Sequence, residues 1–141
     1  MNSRYDALAR LLVTYSTKVK VGDVVVIECF DVEEEMVERL VQHVRNAGGH
    51  PIVWLKSWRV LRAVLRDASD KEIDIASDAE LAQMKLADVY ISLRASLNKH
   101  ELADLSPASI GLFQRNWLGK VHYGERVHNT RWCSGKWPTL I

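Results

Sequence analysis

Cysteine is scarce in this chain of 141 residues, with only Cys29 and Cys133, far apart. A disulfide framework in so short a protein needs more of them. The fold must therefore rest on an apolar core, and two reduced thiols in the cytoplasm are the simplest expectation. Long apolar runs are also lacking: none approaches the ~20 residues of a membrane span. The opening MNSRYDALARLL is amphipathic and charged, without the apolar region of a signal peptide. An excess of either charge is missing too. Nineteen basic and 18 acidic residues leave a net charge of +1, which gives no support to nucleic-acid or membrane-surface binding. The basic cluster Lys56, Arg59, Arg62 and Arg66 reads as a solvated helix face rather than a phosphate contact. Of the seven glycines, Gly48 and Gly49 follow a helix pattern rather than a strand, so neither a dinucleotide fingerprint nor a Walker loop can be assembled.

What is present is an alternation of strands and helices. Ser3 to Thr17 reads as a helix, with Tyr5, Leu8, Leu11, Leu12 and Tyr15 as its apolar stripe. After the turn at Val21-Gly22-Asp23, the β-branched run Val24 to Ile27 suits a strand of a parallel sheet, covered on both faces. Asp31 is the expected N-cap of the next helix, with Glu33, Glu34 and Glu35 in its first turn. Met36, Val37, Leu40, Val41 and Val44 form its buried face, and Gly48-Gly49 ends it. Pro51 to Leu55 is a second strand, and the unit from Val24 to Leu55 is β-α-β with parallel strands. Trp58 to Asp67 is helical, and Asp70 to Ile75 is a short helix or a loop. Ser77 to Ala87 is helical, with Ser77 and Glu80 in capping-box spacing, and Asp88 to Leu93 is a third strand. A short helix is expected over Asn98 to Leu105. Ser106-Pro107 opens one or two helices reaching about Val127, and Arg131-Trp132-Cys133 is a final strand broken by Pro138-Thr139. The expected fold is a single α/β domain over residues 1–141, three-layered, with a mainly parallel sheet and helices on both faces. Its topology is Rossmann-like without a nucleotide fingerprint.

No self-sufficient active site emerges from these residues. His122, His128 and Cys133 are zinc-ligand types, but their spacing matches no ligand pair on a helix or knuckle, and no HExxH occurs. Ser92 and Ser96 follow the third strand without a GxSxG elbow. Glu28 and Asp31, at the end of the first strand, could pair around a metal or an amine, although N-capping accounts for Asp31. Trp54 and Trp58 read as packing rather than as a stacking platform. No residue is assigned as catalytic and none as a metal ligand.

The closing segment, Asn129-Thr130-Arg131-Trp132-Cys133-Ser134-Gly135-Lys136-Trp137-Pro138-Thr139, resembles the Asn-x-x-Trp-(apolar)-x-x-x-(aromatic)-Pro-Thr segment of metallo-aminopeptidases of the aminopeptidase T and aminopeptidase S type. The opening YDALARLLVTYSTKVKVGDVVVI resembles that family's first helix, turn and strand. The helix closing on Ala-Gly, the strand ending in Trp and the strand Ala87 to Arg94 agree in order. The resemblance implies the amino-terminal domain of an enzyme that releases amino-terminal residues from peptides. Its second domain would carry two divalent metal ions (Zn, Co or Mg), and that domain is expected to be absent here, since the sequence stops at Ile141. By that analogy Asn129, Arg131 and Trp132 are the substrate-side candidates, and peptide substrate binds only in the full-length enzyme. A missing second domain would bare Trp117, Trp132 and Trp137, so a homodimer with a contact after Ser106 is expected. The competing readings are a free-standing α/β ligand-binding or protein-interaction module, and a small enzyme using Asp31 or Ser92.

Overall fold

The computed structural model describes residues 3–95 and 102–137. Ser96, His100, the start of the helix expected from Asn98, and the Pro138-Thr139 break lie outside the described residues. The chain divides into two compact units. One comprises Met1–Lys56, Ala87–Ser96 and Arg131–Ile141, the other Ser57–Leu86 and Leu97–Thr130.

The first unit is built on a four-stranded, wholly parallel sheet: β1 (Val24–Phe30), β2 (His50–Lys56), β3 (Val89–Ala95) and β4 (Arg131–Trp137), in the order β2-β1-β3-β4. The chain is α/β, as the pattern of strands predicts. Register follows side-chain alternation. Val25, Ile27 and Cys29 of β1 share a face with Val89, Ile91 and Leu93 of β3 and with Trp137 of β4. These residues form one core with α1 (Ser3–Arg10) and α2 (Glu34–Asn46), including Leu8, Val13, Met36, Leu40 and Val44. β1 is buried on both faces, which is why its sequence is nearly continuous in apolar residues.

Several local expectations change. α1 continues as a wider, π-helical segment over Leu11–Ser16, closed by the Thr17 amide donating to the Leu12 carbonyl at 3.1 Å. Its buried stripe is Tyr5, Leu8, Ala9, Leu12 and Val13, whereas Leu11 and Tyr15 are exposed. Spacing of 3, 4, 7 and 8 residues selects the small Ala9 over the larger side chains. Asp31 does not cap α2. It has φ of +54°, and the cap position falls on Glu33, without a side-chain hydrogen bond. Trp137 is buried rather than bare, its ring edge-to-face with Tyr5 at 5.0 Å.

In the second unit α3 (Trp58–Leu65) is capped by Ser57, whose hydroxyl accepts from the Val60 amide. Residues 70–75 and 77–84 form one helix, α4 (Asp70–Met84). Its cap is Ser69, accepting from the Glu72 amide at 3.2 Å, so Ser77 is interior rather than a cap. The predicted Ser106 cap is present, followed by Pro107. From there α5 (Pro107–Leu112) runs into a π-helical segment, Phe113–Arg126, and then α6 (Val127–Asn129). Lys120 on this segment clasps α4, donating to Asp78 at 2.8 Å and to the Ser77 hydroxyl at 2.9 Å. The bond to Asp78 raises the lysine's pKa against the opposing cost of burial.

Gly48 ends α2 with φ of +84°, and a Cβ there would stand 2.8 Å from Val21 Cγ2. Both the left-handed backbone and the close approach require glycine. Gly48→Ala is expected to lower stability by about 1–3 kcal/mol, measured by urea denaturation.

Candidate functional site

In the order β2-β1-β3-β4, the chain steps from β1 to one side and then returns to the other. The resulting switch point between β1 and β3 is where open α/β sheets bind ligands, beyond the carboxyl ends of the strands. The residues gathered there follow from register. Glu28 lies between Trp54 of β2 and Ser92 of β3, and Phe30 lies between Lys56 and Arg94. All six residues share one sheet face, because each strand contributes alternate residues to it.

Glu28 is the centre of this group and is only 3% exposed. Its carboxylate accepts from the Tyr90 hydroxyl and pairs with Lys56 Nζ at 2.5 Å and Arg94 Nη2 at 3.6 Å. Lys56 stands 5.1 Å from the Trp54 ring centroid and 5.6 Å from that of Phe30. Arg94 sits 5.6 Å from the same Phe30 ring. The buried carboxylate is thus set against two cations. Such a group can hold strand ends in place or attract an anion. It offers neither a free base nor a nucleophile.

Residues 1–140 match the family profile described as thermophilic metalloprotease (M29). The chain belongs to this metalloprotease family. Comparison with curated proteins finds none that matches. Among solved structures, the chain is similar to wild-type AmpT from Thermus thermophilus, with a TM-score of 0.69 and 16% identity. That match covers 97% of this chain and 36% of AmpT, so the chain spans little more than a third of that structure's length.

A family of metalloproteases raises the question of where metal could bind. Among the described residues, no group of three or more His, Cys, Asp and Glu side chains comes together. Glu28, the most buried carboxylate, is already neutralised by cations and does not fit a metal pair. The Cys133 thiol is pushed up by burial, against a lowering hydrogen bond from Ser16.

The substrate-side candidates are placed as follows. Asn129 ends α6 in the second unit and donates to Glu125. Arg131 opens β4 at the amino-terminal end of the sheet, donating to the Thr17 carbonyl at 3.0 Å and to the Asp23 carboxylate. Asp88 adds to this seam, bonding both the amide and the carbonyl of Val24. Arg131 thus lies at the opposite end of the strands from Glu28. Trp132 is 43% exposed and pairs in register with Tyr90, which puts it on the sheet face that carries the cluster. Sequence reading reached Glu28 but missed Lys56, Tyr90 and Arg94. The available signal was polar residues at alternate positions of three strands otherwise rich in apolar ones. Lys56 was instead assigned to a helix face, whereas it closes β2.

Two outcomes follow. Glu28→Ala strands two cations that are themselves partly solvated, so a loss of about 2–3 kcal/mol is expected in urea melts. Cys29 is buried at 2% exposure, and burial pushes its thiol up to about 12 despite the Leu93 backbone bond. At pH 8 about one part in ten thousand is thiolate, so a thiol reagent should label Cys29 only after denaturant is added, as mass spectrometry of labelled peptides will show.

Proposed function

We propose that this chain is the amino-terminal, substrate-side domain of a metal-dependent aminopeptidase and does not cut peptides alone. The observation carrying this reading is the family match across residues 1–140, in a chain that spans only 36% of the AmpT structure. The catalytic metals, two divalent ions in this reading, would be held by a part of the enzyme that these residues do not supply. When bound, such ions activate water and hold the peptide carbonyl. The role of this chain is to position substrate. Trp132 offers an exposed aromatic surface on the same sheet face as the Glu28 cluster, whose cations Lys56 and Arg94 suit the carboxylate of a peptide. Arg131 fixes the start of β4 through Thr17 and Asp23, and so holds the adjacent Trp132 in place, while Asn129 bonds Glu125 within its own unit.

The second reading is a free-standing α/β ligand-binding or interaction module. It is favoured by one observation: Trp137 packs into the sheet unit's own core instead of waiting for a cover.

The purified chain, supplied with cobalt, zinc or magnesium, is expected to give no hydrolysis of aminoacyl-nitroanilides. Turnover that persists through purification and disappears in Asp31→Ala would refute the domain assignment and reveal a separate active site. Peptide binding, followed by tryptophan fluorescence, should weaken in Trp132→Ala; equal affinity in both proteins would remove Trp132 from the substrate side.

A further inference from the structure

Among the described residues, no strand pairs with the outer edge of β2. The His50 amide donates inward to the Asp23 carbonyl at 2.7 Å, and the Lys56 carbonyl accepts from the Asp31 amide at 3.0 Å. In a parallel ladder alternate residues bond to the same side, so Pro51, Val53 and Leu55 turn their backbone groups outward. Pro51 has no N–H to leave open, but Val53 and Leu55 do. Their side chains are bare as well, at 38% and 62% exposure. Together with Val37 and Val41 of α2 they line a groove of about 530 Å³ running beside the edge.

The groove's charges are arranged in order. Glu34 and Glu38 lie in the first half of α2, and Arg45 lies at its end, eleven residues beyond Glu34. Positions 34, 38, 41 and 45 recur at helical spacing and form one stripe. Among the described residues, none of Glu34, Glu38, Arg39 and Arg45 has an ion-pair partner. Arg39 bonds only to Gln42 and leaves its Nε without an acceptor. A stripe that is negative at one end and positive at the other is complementary to itself when reversed.

We infer that this edge is the contact between two copies of the chain, related by a two-fold axis, with β2 pairing antiparallel to its mate. The four strands of each copy then form one continuous sheet. Val53 and Leu55 exchange backbone hydrogen bonds with Leu55 and Val53 of the second copy, and Glu34 faces Arg45 across the axis. The spacing is consistent. Strands lie ~4.8 Å apart, and α2 packs on both β1 and β2, so its axis is roughly 5 Å from the seam. Two-fold symmetry places the two copies of α2 about 10 Å apart, at the upper end of ordinary helix packing. Such an isologous contact closes on itself and caps the hazardous edge. The contact expected from the sequence lies after Ser106; the proposed pairing places it instead along β2, at the other edge of the sheet.

Sedimentation velocity across a concentration series tests this, with circular dichroism to show that each variant is folded. The wild type should dimerise. Glu34→Arg and Arg45→Glu should each weaken the dimer by roughly tenfold or more, since each reversal turns two symmetric attractions into repulsions. The double variant should return to the wild-type dissociation constant. Both reversals oppose the dipole of α2, which lowers stability but gives no reason for the double change to rescue association. A wild type that stays monomeric overturns the inference, whether the groove then accepts another segment or a peptide. A dimer indifferent to either single reversal, or a double variant as weak as the singles, overturns it too.

Discussion

A carboxylate within a parallel sheet must be neutralised where it stands, because the strands on either side leave it no route to water. Glu28 meets that demand through residues that register alone delivers: Lys56 from β2, and Tyr90 and Arg94 from β3. A slip of one residue in either neighbour would send those partners to the opposite face and place apolar side chains against the charge. The ion cluster and the apolar core on the other face therefore specify the same register. The core contributes the burial, and Glu28 penalises the alternatives. The cluster also falls at the switch point, so the element that fixes strand pairing shapes the place where such sheets receive ligands.

The two ends of the sheet are held by different chemistry. At the amino end Asp88, Asp23 and Arg131 join the starts of β1, β3 and β4 through hydrogen bonds to main chain and carboxylate. At the carboxyl end the same task is done by buried charge and aromatic faces. Among the described residues, no group of three or more His, Cys, Asp and Glu side chains comes together at either end.

Periodicity revealed the strands because their covered faces demand β-branched and aromatic residues in short runs, and Val24 to Ile27 could hardly be read otherwise. Helix ends were less legible. Ser77 with Glu80 has capping-box spacing, yet so does Ser69 with Glu72, and only the packing of residues 70–84 as one helix decides between them. Asp31 had the right residue type for a cap, but the chain turns at it with positive φ, and the helix starts three residues later. In the first helix, small Ala9 took a core position that a hunt for bulky residues assigned to Leu11 and Tyr15. The site was half visible: Glu28 stood out in an apolar strand, while its partners lie 28, 62 and 66 residues away.

By itself the sequence determined an α/β chain with four strands in a known order along the polypeptide, and the family to which the chain belongs. Both are written locally, in runs and motifs of adjacent residues. Strand order in space, the partners of Glu28 and the burial of Trp137 against Tyr5 were decided only by tertiary structure. Each depends on which distant strands lie side by side and in what register. Many pairings satisfy the local pattern equally well, and they are separated only by the joint cost of burying charge and filling one core.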